Sequence, residues 1–302
     1  MDYDVIIAGG GPAGMAAAIY TARAGLSTLI VEKMFLGGQM ALTAEVENYP
    51  GVKRTSGAEL ALIMDAQTEQ LGVQRKTAEI IGFELGEMKT VRTTEGEARA
   101  RALILAFGAT PRKLDIPGEE KFSGRGVSYC ATCDGGFYRE KTVCVAGGGN
   151  TAAEDALYLA KLAKKVYLVH RREEFRAQDI LMEQVKKTPN IEIVTPCLPK
   201  EILGDTKVTG FTVSHRDTQQ EKTLPCDGVF VAVGVVPNAA VLPEGLATDE
   251  AGYVLADEST KTNLEGVFAA GDLRKKPLRQ ITTAVADGAN AATQAGEYLR
   301  GR

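Results

Sequence analysis

A glycine-rich turn that occurs twice constrains this chain more than any other feature. At its first occurrence Tyr3 to Ala8 reads as a buried strand, and Gly9-Gly10-Gly11-Pro12-Ala13-Gly14 reads as a turn. Met15 to Ala24 then has the pattern of an alanine-rich helix, and a second strand, Thr28 to Val31, ends at Glu32. In such a unit Gly9 permits the turn and Gly11 lets the backbone approach a pyrophosphate. Gly14 lets helix and strand pack closely, and the helix N-terminus faces the phosphates. Glu32 stands where a carboxylate can accept hydrogen bonds from a ribose. Glycine-rich turns between strand and helix also occur without ligands, and the bare spacing is weak. The strand, helix, second strand and acidic residue in succession are what point to a dinucleotide.

The same unit returns later in the chain. Thr142 to Ala146 is strand-like, Gly147-Gly148-Gly149-Asn150-Thr151-Ala152 is the turn, Ala153 to Lys161 is helical in pattern, and Val166 to Val169 is the second strand. From Gly9 to Glu32 and from Gly147 to His170 the chain runs the same 23 positions. This internal repeat implies an α/β protein with two Rossmann-like dinucleotide-binding domains and two dinucleotides. The ends of the repeat differ: where the first unit presents Glu32, the second presents His170-Arg171-Arg172, followed by Arg176. A carboxylate repels a 2′-phosphate, whereas arginine forks pair with one, so the second site should prefer NADPH to NADH. The plainer alternative is a solvated helix start whose arginines pair with Glu173 and Glu174.

Two thiols stand two residues apart in Ser128-Tyr129-Cys130-Ala131-Thr132-Cys133-Asp134-Gly135-Gly136, within a chain of only five cysteines. Cys-x-x-Cys can close into a small disulfide, poised between oxidised and reduced forms by lowering one thiol's pKa. The spacing also serves half of a zinc site. Zinc, however, normally takes four ligands, and Cys144, Cys197, Cys226, His170 and His215 are scattered singly, so no metal is expected. An inert pair of small core residues is the other alternative. Beside two nucleotide fingerprints, redox chemistry is the stronger reading.

Composition sets outer limits. A chain of 302 residues is expected to form two domains, and 44% apolar with 25% charged residues describes an ordinary globular protein. A formal charge of -4 and the lack of a basic block argue against nucleic acid as the main partner. No basic segment precedes a signal-like apolar run and no apolar segment approaches ~18 residues, so no membrane role and a cytoplasmic location are expected. Gly57 to Gly72 reads as an amphipathic helix, Ile80 to Thr94 as strands of a small sheet, and Leu103 to Phe107 as a strand leading to Gly108. Ile116-Pro117-Gly118 reads as a linker. Val229 to Gly234 reads as a buried strand, Val267 to Asp272 as a strand running into Gly-Asp, and about Thr282 to Leu299 as a final alanine-rich helix.

Taken together, several stretches resemble the low-molecular-weight bacterial thioredoxin reductases, in order and over nearly the whole chain. They are Gly9 to Gly14, Gly37-Gly38-Gln39, Val46-Glu47-Asn48-Tyr49-Pro50-Gly51, Cys130-Ala131-Thr132-Cys133-Asp134-Gly135 and Gly147 to Ala152. His170-Arg171-Arg172 with Phe175-Arg176-Ala177, and Gly271-Asp272 with Arg279-Gln280, complete the set. The resemblance implies that the first nucleotide is FAD and that its domain is discontinuous, residues 1–113 and 243–302. An NADPH domain, residues 114–242, would be inserted in it and carry the dithiol. A homodimer is implied, with thioredoxin or a thioredoxin-like redox protein as partner.

Position by position, the resemblance makes Cys133 the thiol nearest the flavin, Cys130 the one that attacks the partner's disulfide, and Asp134 their acid/base. FAD would be held by Gly9, Gly11, Pro12, Ala13, Gly14, Glu32, Gly38, Gln39, Asn48, Gly108, Gly271, Asp272, Arg279, Gln280 and Ile281. NADPH would be held by Gly147, Gly149, Asn150, Thr151, His170, Arg171, Arg172 and Arg176. One position departs, because Phe107 stands where the family usually has Thr, a change expected to alter packing rather than chemistry. Nicotinamide and disulfide would share the inserted domain and must both reach one flavin. The resemblance answers this with a rotation of that domain, hinged near Ile116 to Gly118 and Ala239 to Gly245. Two other functions fit the same residues: reduction of a different disulfide carrier, or a redox-sensing FAD protein with little turnover. Cys130 and Cys133 disfavour relatives that serve ferredoxin without a dithiol, and the arginines disfavour relatives that have abandoned NADPH.

Overall fold

The computed structural model describes residues 2–43 and 45–301. The chain divides into two compact units, one running to Thr110 and resuming at Val236, the other formed by Pro111–Val235. In the first unit β1 (Asp2–Ala8), α1 (Pro12–Arg23) and β2 (Thr28–Glu32) make the first strand-helix-strand turn, the strands pairing in parallel. The helix starts at Pro12 rather than Met15 because proline's fixed φ suits the first helical position, where no N–H is needed. There follow α2 (Gly38–Ala41), α3 (Gly57–Gln70), β3 (Gln74–Thr77), β4 (Ile80–Glu84), β5 (Lys89–Thr93) and β6 (Gly96–Leu105). A capping box starts α3: Ser56 Oγ accepts from Glu59 N at 3.1 Å, and the Glu59 carboxylate accepts from Ser56 N at 3.0 Å.

The strands after Ile80 do not form a sheet of their own. Strand β6 pairs antiparallel with β5 through its first half and parallel with β1 through its second, Arg99 facing both Thr90 and Asp2. One sheet therefore runs β3-β2-β1-β6-β5-β4. Its centre is buried on both faces, which is why β1 is apolar without alternation. Val5 and Ile7 pack towards Ala17 and Ala18 of α1, while Ile6 and Ala8 join Leu103 and Leu105 on the opposite side.

The chain crosses into the second unit through β7 (Ala109–Pro111). There it forms β8 (Val127–Ser128), α4 (Ala131–Asp134), β9 (Thr142–Gly147), α5 (Asn150–Ala160), β10 (Lys165–Val169), α6 (Asp179–Lys187) and β11 (Ile191–Val194). Strands β12 (Cys197–Gly204), β13 (Val208–His215), β14 (Glu221–Pro225) and β15 (Gly228–Ala232) complete it. A parallel sheet, β11-β10-β9-β15-β8, carries α5 and α6 against Val143 and Val145 on one face. The antiparallel β12-β13-β14 packs against Cys144 and Ala146 on the other. Pro117 and Gly118, read from sequence as linker, are fastened to this layer. Ile202 N donates to Pro117 O at 2.9 Å, and a Cβ on Gly118 would lie 2.1 Å from Ile202 O.

The return crossing, β16 (Val235–Pro237), pairs with β7. Back in the first unit β17 (Val267–Ala269) lies parallel to β6, a 3-10 turn spans Gly271–Leu273, and α7 (Ile281–Arg300) closes the chain. Helix α7 lies on α1 through small residues; a Cβ on Gly288 would meet Ala13 O at 2.1 Å. Among the described residues no helix is long and apolar enough to cross a membrane.

Ile104 is fully buried at the centre of this unit. Ile104→Ala is expected to cost about 2–5 kcal/mol through lost burial and the cavity left behind. Urea unfolding followed by circular dichroism reads this as a lower midpoint for the first unit's transition; a loss below about 1 kcal/mol would mean the site collapses freely.

Candidate functional site

In the first unit the fingerprint glycines divide into those that packing requires and one that leaves space. A Cβ on Gly9 (φ +112) would stand 2.4 Å from Ala106 O, and one on Gly14 would stand 1.9 Å from Gly9 O. A Cβ on Gly11 would meet nothing within 4 Å, so the start of α1 at Pro12 and Ala13 stays open for a phosphate. Glu32 Oε2 accepts from Gly10 N at 2.7 Å, which holds the carboxylate beside the turn. Gly37 N donates to Gly10 O at 2.8 Å and Gly38 sits against Gly11 Cα, so the segment leading to Gln39 folds over the same turn.

Residues from the far end of the chain join this group. Asn48 Nδ2 donates to Gln280 Oε1 at 3.1 Å, and Gln280 caps α7 just before Ile281. Asp272 Oδ1 and Arg279 Nε are buried without a hydrogen-bond partner, and the Arg279 guanidinium lies 4.1 Å from the centre of the Tyr253 ring. Burial pushes the Asp272 carboxyl up from its ordinary range, with the Lys276 and Arg279 charges drawing it back. An unmet acceptor, an unmet donor and an open helix start suit a ligand carrying both hydroxyls and a pyrophosphate, as FAD does. Gly108 (φ +69) lies between β6 and β7, where Asn238 fastens the backbone: its N donates to Gly108 O at 3.0 Å and its Nδ2 to Phe107 O at 2.9 Å. Sequence reasoning missed Asn238, whose side-chain partner Phe107 O lies 131 positions away. The Phe107 ring packs against Phe83 at 6.2 Å, both half-buried against the core.

The second unit repeats the arrangement. A Cβ on Gly147 would lie 2.3 Å from Ala232 O, whereas one on Gly149 would meet nothing within 4 Å. The segment after β10 folds onto this turn: Arg176 N donates to Gly148 O at 2.7 Å, and Gln178 N donates to Asn150 Oδ1 at 2.8 Å. Thr151 follows, exposed, in the first turn of α5. The His170 ring is buried against Gly148 and Phe175, and its Nε2 has no partner. Burial pushes His170 down; a hydrogen bond to the Glu174 backbone opposes this, and the charges of Arg171, Arg176 and Arg172 add to it. Those three arginines are exposed, and among the described residues none forms an ion pair, with Glu173 and Glu174 or otherwise. Three unpaired guanidinium groups around a fingerprint turn suit a ligand with an additional phosphate.

Cys130 and Cys133 are joined as a disulfide with Cα atoms 5.3 Å apart, both half-buried. Cys130 caps α4: its Sγ accepts from Cys133 N at 3.2 Å and lies 3.5 Å from Thr132 Oγ1. Ser128 Oγ accepts from Cys130 N at 3.1 Å and donates to Cys130 O at 3.3 Å. Tyr129 donates its hydroxyl to Glu119 Oε1 at 2.9 Å, and the same buried carboxylate accepts from Leu114 N and Asp115 N. Asp134 N donates to Cys130 O at 3.1 Å; burial pushes its carboxyl up, while the Ser128 hydroxyl draws it back. The roles of Ser128 and Glu119 were not read from sequence. A serine two residues before Cys130 was a usable signal, since hydroxyls at such offsets bond the local backbone; Glu119 offered none. Cys144, Cys197 and Cys226 share one buried cluster, where burial and a hydrogen bond to Cys226 push the Cys144 thiol well up. Among the described residues no group of His, Cys, Asp and Glu is placed to hold a metal ion.

Comparison with known proteins agrees with this geometry. Residues 3–288 match the model of the pyridine nucleotide-disulphide oxidoreductases. A thioredoxin reductase of Listeria monocytogenes is 47% identical over 300 residues, covering 98% of this chain and 94% of that protein. One from Peptoclostridium acidaminophilum is 44% identical over 308 residues, covering 98% and 97%. The solved thioredoxin reductase of Streptococcus pyogenes has a TM-score of 0.94 at 42% identity, covering 100% of this chain and 99% of that one.

Asp134 makes the site's electrostatics measurable. Its folded pKa lies above the unfolded one, so its contribution to stability is complete below the unfolded value, about 3.9, and is lost as pH rises through the folded value. Asp134→Asn is therefore expected to melt at a higher temperature than the wild type at about pH 8, with the gap closing towards about pH 4. Scanning calorimetry giving the same gap at both pH values would assign the effect to something other than the carboxyl.

Proposed function

The chain belongs to the pyridine nucleotide-disulphide oxidoreductases, and from that premise we propose that it is an NADPH-dependent flavoprotein reductase passing electrons through FAD and the Cys130–Cys133 disulfide to the disulfide of thioredoxin. The observation that carries this reading is the second unit itself, where a closed Cys-x-x-Cys and a nucleotide fingerprint ringed by unpaired arginines occur in one compact body. The discontinuous unit is the FAD domain and Pro111–Val235 the NADPH domain. In the first, Gly11, Glu32, Asn48, Asp272, Arg279 and Gln280 hold FAD, with Gly9, Pro12, Ala13, Gly14, Gly38, Gln39, Gly108, Gly271 and Ile281 shaping the cradle. In the second, Gly147, Gly149, Asn150, Thr151 and His170 seat NADPH, and Arg171, Arg172 and Arg176 take its 2′-phosphate.

FAD, when bound, supplies two-electron chemistry between a nicotinamide and a disulfide. The chain's own residues do the rest. Two electrons reaching the Cys130–Cys133 bond break it and leave two thiols, and Asp134, beside the pair, manages their protons. Cys130 as thiolate, with the Cys133 N–H directed at its sulfur, attacks one sulfur of the partner's disulfide and releases the other as a thiolate. Cys133 then attacks Cys130 Sγ in that mixed disulfide, re-forming the internal bond and freeing the partner's second thiol. The fingerprint and the dithiol belong to one unit, so each is presented to the flavin in turn, and the paired crossings β7 and β16 are the two chain connections that must accommodate it.

A homodimer in the cytoplasm completes the proposal. Phe35 and Leu42, 70% and 73% exposed, together with Leu62 and Ile63 of α3 support self-association of the first unit. Three unpaired, buried cysteines support a reducing compartment.

The test is anaerobic mixing of the yellow protein with NADPH or NADH, followed by oxidised thioredoxin. The flavin is expected to bleach preferentially with NADPH, and thioredoxin to gain two thiols. Cys130→Ser should abolish the second step but not the first. Replacing Arg171 and Arg172 together by alanine should raise the KM for NADPH about 10- to 100-fold and leave that for NADH near its wild-type value, since charge-assisted bonds are lost only to the phosphate. Bleaching without thioredoxin reduction would assign the dithiol to another disulfide carrier.

A further inference from the structure

Three buried charges in the first unit take no part in the chemistry above. The side chains of Arg274, Asp287 and Lys276 are 3%, 4% and 5% exposed. Asp287 accepts from Arg274 Nη2 at 2.9 Å and Nε at 3.2 Å, and from Lys276 Nζ at 2.8 Å. Burying such a cluster costs as much as it returns, and apolar replacements of similar volume often serve stability as well or better. Its presence calls for another reason.

That reason lies in the fourth donor to Asp287. Gly271, held at φ +74, donates its N–H to Asp287 Oδ2 at 3.0 Å, and the next residue is Asp272 with its unpartnered Oδ1. Gly288, next to Asp287, lies on Ala13 of α1, and a Cβ on Gly271 would stand 2.9 Å from Ala13 Cβ. Asp287 therefore fixes the Gly271–Asp272 turn against the start of the fingerprint helix. Lys276 reaches the other flank: its Nζ donates to Thr283 O at 3.2 Å, and Thr283 Oγ1 accepts from Gln280 N at 3.1 Å. Arg274 Nη2 also meets Glu258 Oε1 at 3.2 Å, but that carboxylate is 88% exposed, so within the buried part of the cluster two cations face one carboxylate. Lys276 is the first of the charges that oppose the effect of burial on that carboxyl.

We propose that Asp287 and Lys276 are positioning residues for the flavin half of FAD. Asp287 sets the turn so that the Asp272 carboxylate accepts from a polyol hydroxyl, and Lys276 supplies the charge that compensates it. The inference rests on the FAD reading of this unit.

Full-length apoprotein, stripped of flavin, separates the alternatives by calorimetric titration with FAD and with ADP, which shares the adenosine and pyrophosphate but lacks the polyol. Asp287→Ala and Lys276→Met are each expected to weaken FAD at least tenfold and to leave ADP within twofold of wild type. Lys276→Met keeps the Gly271–Asp287 bond and guards against a fold-wide effect of the first variant. Asp272→Asn should show the same selectivity, and combining it with Lys276→Met should cost less than the two separate losses multiplied. Equal weakening of FAD and ADP, loss of folding in both variants by circular dichroism, or no change would overturn the proposal. Wild-type apoprotein that binds ADP but not FAD would overturn the FAD reading itself, and this inference with it.

Discussion

The distance between two pieces of backbone governs the first unit. With no Cβ on Gly14, α1 lies so close to the turn after β1 that the missing atom would stand 1.9 Å from Gly9 O, and Gly288 allows α7 the same approach to α1 from the other side. Three elements thus meet with backbone nearly touching backbone. Beside the start of α1 there is space that no side chain fills, because a Cβ on Gly11 would touch nothing. Room beside this helix start follows from three missing methyl groups, and a helix start of this kind suits an anion.

The second unit reaches the same end by a different distribution of small residues. Gly147 is packed against Ala232 O and the Ala152 methyl, so alanine there takes the place that Gly14 holds in the first unit. What distinguishes the two sites is the loop after the second strand. Glu32 is spent partly on the Gly10 N–H, whereas in the second unit the Arg176 backbone bonds the turn and leaves the guanidinium groups unengaged. The two turns differ in which part of a residue the fold consumes.

The strand-helix-strand repeats and the dithiol were legible because each is a local pattern in which spacing and residue type carry the physics. Elsewhere, pattern revealed element type without partner. The alternation after Ile80 marks strands, yet nothing in it says that β6 is long enough to pair with β5 at one end and β1 at the other. Pro117-Gly118 has linker composition, and only the fold shows β12 fastened to it. Glu119, Asn238 and Asp287 read as unremarked polar residues because each takes part of its bonding from backbone groups, which leave no signature in sequence, and the rest from side chains that no local pattern links to them. The unmet atoms of Asp272 and Arg279 are likewise a property of burial that only coordinates express.

The turn that holds Cys130 is bound by contacts that do not depend on the sulfur–sulfur bond. Ser128 clasps the Cys130 backbone from both sides, Tyr129 is tied through Glu119 to the segment entering the unit, and the Cys133 N–H points at Cys130 Sγ. None of these bonds is made through the sulfur–sulfur bond itself. The second thiol is therefore kept beside the first at an effective concentration far above that of any free thiol. In the proposed mechanism a mixed disulfide at Cys130 would accordingly be a short-lived species, resolved from within before another molecule can intervene.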